Sequence, residues 1–227
     1  MKRSSKRSPV PFPLLLVLLG GALLPADARA APADDPAAAA AESGLAMLKQ
    51  MTTKETYAST GFQSLDELGK ARLGSSVKVY MIGLDDLKAL PPTADPKTVL
   101  RDNNERLFPV HVGGAARAAI VVRQDAKDQQ WKVVSMGDAA TVKLLDGARA
   151  LHSKASGGNH EYFLLRIPAI YQMFLGFTDG SGAMHFITMH EDREAGGKKG
   201  EARPARTVLD LLTKIAKNAR PLEKPAH

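Results

Sequence analysis

The stretch LFPVHVGGAARAAIVVRQDAKDQQWKVVSMG, Leu107 to Gly137, decides how this chain folds. Its apolar residues recur at every second position, interrupted by GGA and by the polar QDAKDQ. The spacing therefore predicts three strands, LFPVHV, AARAAIVVR and QWKVVSM. Alternation puts Phe108, Val110 and Val112 on one face of the first strand, and Ala116, Ala118, Ile120 and Val122 on one face of the second. Directly opposed residues share a face, so the two apolar sets meet when Phe108 opposes Ile120. That register leaves the loop Gly113, Gly114 and Ala115, and sets His111 across from Arg117 and Glu105 across from Arg123 on the other face. A two-residue Gly-Gly turn would mismatch the faces unless a bulge corrects it. With His111 beside a cation, neither metal binding nor a raised pKa is expected there. The glycines lead into a strand and not into a helix N-terminus, which excludes a phosphate cradle.

Downstream, Asp138 is a natural N-cap for a helix whose inward stripe is Val142, Leu145, Ala148 and either Leu151 or His152. Three more strands follow, HEYFLLRI, YQMFLGFT and AMHFITMH, the last two joined by DGSG. FLLRI and MFLGF are apolar on both faces, which places them centrally in a sheet. A final helix carries Val208, Leu211, Leu212 and Ile215 on one face, with Lys214 and Lys217 outside. Upstream, Ser64 and Glu67 in SLDELGKARLG have the spacing of a capping box. VKVYMIG then reads as a strand, DDLKALPP as a short helical turn, and DPKTVLRDNNER as a second helical turn or a loop. Strands followed by a helix occur twice, a pattern consistent with a structural pseudo-repeat. The fold class expected is α+β, a single domain over residues 45–220, with an antiparallel sheet of about six or seven strands and helices packed on one face.

The ends read differently. MKRSSKRS, the apolar LLLVLLGGALL (Leu14–Leu24) and the small-x-small Ala28-Arg29-Ala30 follow the order of a signal peptide over residues 1–30. The apolar run is too short for a spanning helix, which needs roughly 20 residues. A periplasmic or secreted location is expected, with no stable membrane insertion after cleavage. Residues 31–44 read as a low-complexity linker, although Leu45, Leu48 and Met51 lie at a helical spacing into which the alanines can run; residues 221–227 read as a disordered tail. Five of the 31 basic residues and one of the 24 acidic ones lie in the first thirty positions, leaving a formal +3 for the remainder against +7 for the whole chain. So modest a charge gives no reason to expect nucleic acid as a partner. The chain has no cysteine, which excludes disulfides, thiolate metal sites and a cysteine nucleophile.

Candidate chemistry concentrates in HEY and MHFITMHED. If DGSG closes the hairpin, Gly176 faces His185 and Tyr171 faces His190, and the two histidines point to opposite faces. A metal set of His160, His185 and His190 would serve a small metal-dependent hydrolase, but adjacent strand positions oppose its convergence. An uncovered imidazole opposite Gly176 could open a small ligand pocket lined by Phe174, Gly176, His185, Ile187 and Met189. No G-x-S-x-G, H-E-x-x-H or P-loop spacing occurs, no cofactor is expected, and DNNE (Asp102–Glu105) lacks the spacing of a calcium loop. Trp131 reads as core anchorage.

SLDELGKARLG leading into VKVYMIGLDDL, and LFPVHVGG followed by QWKVVSMG, are similar to uncharacterised exported bacterial α+β proteins. The order of strands and helices resembles, distantly, cystatin-like propeptide domains. The resemblance covers roughly residues 60–190 and carries over no functional residue. It implies a binding or auxiliary module outside the cytoplasm. Together these readings favour an exported, non-enzymatic domain that binds a protein or peptide through a strand edge or a sheet face.

Overall fold

Gly113 and Gly114 form a two-residue turn, with φ of 57° and 82°. Both values are positive, as the type I′ turn of a tight hairpin requires. Val112 consequently opposes Ala115, and the faces are reconciled because Val110 opposes Ala118 while His111 opposes Ala116. Arg117 is the extra residue of the resulting bulge. Phe108 opposes Ile120 and Glu105 opposes Arg123 as expected, but His111 does not lie across from Arg117. Backbone twist favours the tight primed turn, and the bulge restores the inward apolar row.

A computed structural model of the chain describes residues 35–158, 160–191 and 197–218. The expected signal peptide and tail lie outside them. The strands are β1 (Arg72–Leu73), β2 (Val77–Met81), β3 (Arg101–Val112), β4 (Ala115–Gln124), β5 (Trp131–Gly137), β6 (Tyr162–Ile167), β7 (Gln172–Thr178), β8 (Met184–Thr188) and β9 (Ala202–Pro204). They form one sheet in the order β5-β4-β3-β2-β6-β7-β8-β9, with β1 also on β3. Every pairing is antiparallel except β2 with β6.

The strand count exceeds the six or seven expected. β1 and β9, too short to show alternation, make the difference, while the polar RDNNER lengthens β3 within a loop-like composition.

The helices are α1 (Pro36–Met51), α2 (Leu65–Gly69), α3 (Leu84–Ala89), α4 (Ala139–Ser156) and α5 (Ala205–Asn218). They cover both faces of the sheet, not one. On the first face Val142, Leu145 and Ala148 of α4 pack on Leu107, Val121, Leu164 and Leu175. On the second, α1 sets Ala41, Leu45 and Leu48 against Phe108 and Ile120, while α5 sets Val208, Leu209 and Leu212 against Phe174 and Phe186. Neighbouring strand residues such as Leu107 and Phe108 are both fully buried, so each face needs its own cover.

Caps explain several boundaries. Asp35 accepts from the Ala37 N–H at 3.0 Å and Pro36 opens α1, so the alanine run is helix and core from that point and not linker. Ser64 accepts from the Glu67 N–H at 3.1 Å. Glu67 reaches back one residue further than a capping box requires, to the Gln63 N–H, and also accepts from Arg117 Nε at 2.6 Å. Asp138 caps α4 through the Thr141 N–H at 3.2 Å. On α4 it is His152 that turns inward, leaving Leu151 exposed.

The strand order is a palindrome about the parallel pair. β2 to β5 followed by α4 correspond to β6 to β9 followed by α5, and α4 and α5 lie on opposite faces. Each half thus runs four strands and then a helix, the order that the pseudo-repeat expects. Val79 and Leu164, opposed across the seam, are both fully buried. Leu164→Ala is expected to cost about 2–5 kcal/mol. Because both halves share this seam, urea unfolding followed by near-ultraviolet and far-ultraviolet circular dichroism should stay a single coincident transition. Two separated transitions would show that the halves fold independently.

Candidate functional site

The second sheet face is covered by α1 over β3, β4 and β5 and by α3 and α5 over β6, β7 and β8. Between them the seam of β2 and β6 is left to its own side chains. Lys78, Tyr80 and Phe163 lie here, with Arg106 directly across from Lys78 on β3. They floor a cleft of about 800 Å3. Lys97 and Leu100, from the short 3-10 turn Pro96–Val99 and its end, form one wall. Around the start of β2 and β6 the lining passes through Ser76, His160, Glu161 and Tyr162 to Arg149 of α4.

The floor is organised by ring contacts and ion pairs. Tyr80 and Phe163 meet edge to face at 5.2 Å. Lys78 Nζ donates to Asp102 Oδ2 at 2.7 Å and to Tyr80 Oη at 3.3 Å. The Asp102 hydrogen bond holds the Lys78 ammonium above its ordinary pKa. Arg106 Nη1 donates to Asp35 Oδ2 at 2.6 Å, and its guanidinium lies 5.1 Å from the centre of the Trp131 ring. Trp131 is thus half-buried core anchorage that also supports a cleft cation. Arg149 lies over the Tyr162 ring at 5.5 Å.

Behind the cleft wall three imidazoles surround one phenyl ring. His152, His160 and His185 lie 4.6, 4.5 and 5.2 Å from the centre of Phe177. His152 is buried and shares a 3.0 Å hydrogen bond, through Nδ1, with Tyr162 Oη. His185 stacks on Phe177 and has Asp179 at 3.6 Å.

The alternative metal set is therefore split. His160 and His185 come to the same ring, with His152 as their companion, whereas His190 lies beyond the end of β8 and is not among these rings. Among the described residues no group of three histidines or carboxylates could hold a metal ion. His152 was recognisable in the sequence only as an inward helix position. Its company depends on sheet order, which a local pattern does not encode.

The expected ligand pocket does not form, because the β7–β8 loop spans residues 179–183 and the register differs by one from the DGSG expectation. Thr178 opposes Met184, Phe177 opposes His185, and Gly176 opposes Phe186. Phe174 and Gly176 thus share a face with Phe186, whereas His185, Ile187 and Met189 share the other. Phe174 belongs to the core beneath α5 and Ile187 and Met189 to the core beneath α4. The space over Gly176 is filled by Phe163, whose ring an added Cβ would overlap. His111, expected beside a cation, has Asp146 of α4 as its partner, Nε2 to Oδ2 at 2.6 Å. That face of β3 is the one α4 covers. DNNE lies within β3, where Asp102 pairs with Lys78.

Gly176→Ala is expected to destabilise the protein by about 1–3 kcal/mol through overpacking, and Phe163→Leu in the same chain should recover part of that loss in urea unfolding. A second expectation concerns pH. Burial first, and then the charges that His160 and His185 gain on protonation, hold the His152 imidazole below its ordinary value. A base with a depressed folded pKa leaves the unfolded chain holding more protons between the two values, so this contribution to stability is complete above about 6.5 and is lost as pH falls toward the folded value. The thermal midpoint should drop on acidification from pH 7.5 to 5.5, and His152→Phe should flatten that slope. An unchanged slope would remove His152 as its source.

No helix among the described residues is long and apolar enough to cross a membrane. No protein-family model, curated protein or solved structure matches this chain.

Proposed function

We propose that this protein is an exported, non-catalytic binding module that holds an extended segment of a protein or peptide in the cleft over the β2/β6 seam. The observation that carries this reading is the uncovered strip of sheet face itself. Helices flank it on both sides, it encloses about 800 Å3, and its floor mixes aromatic rings with long cations. Such a surface recognises by contact area and charge, and the volume is in the range of built ligand sites. Export rests on the order of charged, apolar and small residues in positions 1–30.

The sheet face is preferred to the sheet edges as the place of binding. β9 offers only three residues. β5 carries Lys132, tied to Asp125 and Asp128 at 2.7 Å each, and a lysine on an edge strand hinders the addition of another strand.

Peptides selected from a random displayed library by the purified full chain should lose at least about tenfold in affinity, about 1.4 kcal/mol, when Ser76→Trp fills the cleft. Circular dichroism would establish that this variant folds. Selected peptides that bind the folded Ser76→Trp chain as tightly as the original would place the binding surface elsewhere and overturn the reading.

A further inference from the structure

We infer that the segment taken by this cleft is acidic, with carboxylate side chains alternating with apolar ones; the inference rests on the proposed function and specifies its partner. The cleft lining presents Lys78, Lys97, Arg106 and Arg149 against the single carboxylate of Glu161. Lys78 and Arg106 directly oppose one another across an antiparallel pair. Like charges in that arrangement repel, and a fold with no use for them would gain by replacing one. Asp102 and Asp35 relieve the repulsion from the flanks, each on one cation.

Arg106 and Lys97 each spend one side-chain donor on a partner among the described residues and keep others. Among the described residues Arg106 uses Nη1 on Asp35 and rests its guanidinium on Trp131, so other N–H groups of its five-donor fork can meet a ligand carboxylate. Lys97 is exposed on the opposite wall, with the Gly182 carbonyl at 3.4 Å. The same lining includes Tyr80, Phe163, Leu100 and Met184. A strand-like segment sends alternate side chains to opposite sides, so acids can reach the cations while apolar residues rest on the rings.

A polyphosphate chain fits less well. Glu161 interrupts the basic lining, Asp35 and Asp102 partly neutralise Arg106 and Lys78 from outside it, and a nucleic-acid backbone needs an unbroken row of cations. Carboxylates set at alternate positions can avoid those three acids.

The test measures anisotropy of fluorescein-labelled octapeptides in which leucine alternates with aspartate, asparagine or lysine, added to the full chain at 50 and 300 mM salt. The aspartate peptide should bind at least about tenfold more tightly than the asparagine peptide at low salt, and the advantage should shrink several-fold at high salt. Lys97→Glu, on an exposed turn, should weaken the aspartate peptide by about fivefold or more and leave the asparagine peptide within about twofold. Equal binding of the aspartate and asparagine peptides, with both lost in Ser76→Trp, would overturn the acidic preference while the cleft stands. Failure of all three peptides to bind would overturn the cleft reading itself. A twelve-residue oligothymidylate that binds more tightly than the aspartate peptide and displaces it would overturn the inference in favour of a nucleic-acid ligand.

Discussion

The parallel pairing of β2 with β6 is the constraint on which the rest of this structure depends. Parallel ladders are somewhat weaker per residue than antiparallel ones and survive where both faces are shielded. On the first face α4 supplies the shield, lying over Val79 and Leu164 as well as over parts of both halves. On the second face α1 stays over β3, β4 and β5, while the cluster of α3 and α5 takes in Ile82 and Leu165 and has Tyr80 and Phe163, only partly buried, at its rim. Tyr80 and Phe163 therefore cover the seam with their own rings, and Phe163 does so by lying across Gly176. A glycine on one strand beneath an aromatic on the next is a local means of covering exposed backbone. The cleft is thus a consequence of joining two antiparallel halves through a parallel pair and supplying only one central helix.

Much of this was legible in the sequence, and the limits have physical causes. The β3 and β4 pairing could be read because Phe108 and Ile120 belong to long alternating rows on which a slip would expose a whole face. The choice between a two-residue turn with a bulge and a three-residue loop could not, since both satisfy the same rows. In β7 and β8 the loop is polar at both ends, and nothing in DGSGA says whether Ala183 belongs to the strand. One residue of uncertainty there moved His185 from Gly176 to Phe177 and dissolved the expected pocket. Strands apolar on both faces, FLLRI and MFLGF, revealed their central position, but the same property signalled helices on both faces and had to be applied to Leu107 and Phe108 as well. The cleft was hidden because its parts come from segments whose proximity is set by strand order: Ser76, Arg106 and His160 share no local pattern.

The three histidines about Phe177 illustrate how packing decides between chemistries that composition leaves open. A metal ion needs imidazole lone pairs, which lie in the ring plane, to converge at roughly 2.0–2.1 Å. Here the rings meet Phe177 by stacked and tilted contacts, and His152 has Nδ1 committed to Tyr162. The imidazoles act here as aromatic side chains. Burial favours the neutral form of His152, and each proton taken up by a neighbour reinforces that preference. Core packing and protonation are therefore coupled behind the cleft wall, with His160 belonging to both the ring cluster and the cleft lining.

The cations of the cleft are positioned by an irregularity in β3. Opposite β2 the pairing passes from Val79 with Glu105 to Tyr80 with Asp102, so Asn103 and Asn104 are additional residues, and Asn104 takes a positive φ of 54°. Asparagine tolerates that conformation better than most side chains. In an unbroken ladder Tyr80 would oppose Asn104, and Asp102 would lie farther along the strand. The bulge instead draws Asp102 beside Lys78, where it forms the 2.7 Å ion pair, and leaves Arg106 to be balanced by Asp35 from the cap of α1. A bulge re-aims side chains without interrupting a sheet. In this sheet it permits two cations to remain face to face across a strand pair, each held by a carboxylate from outside the row.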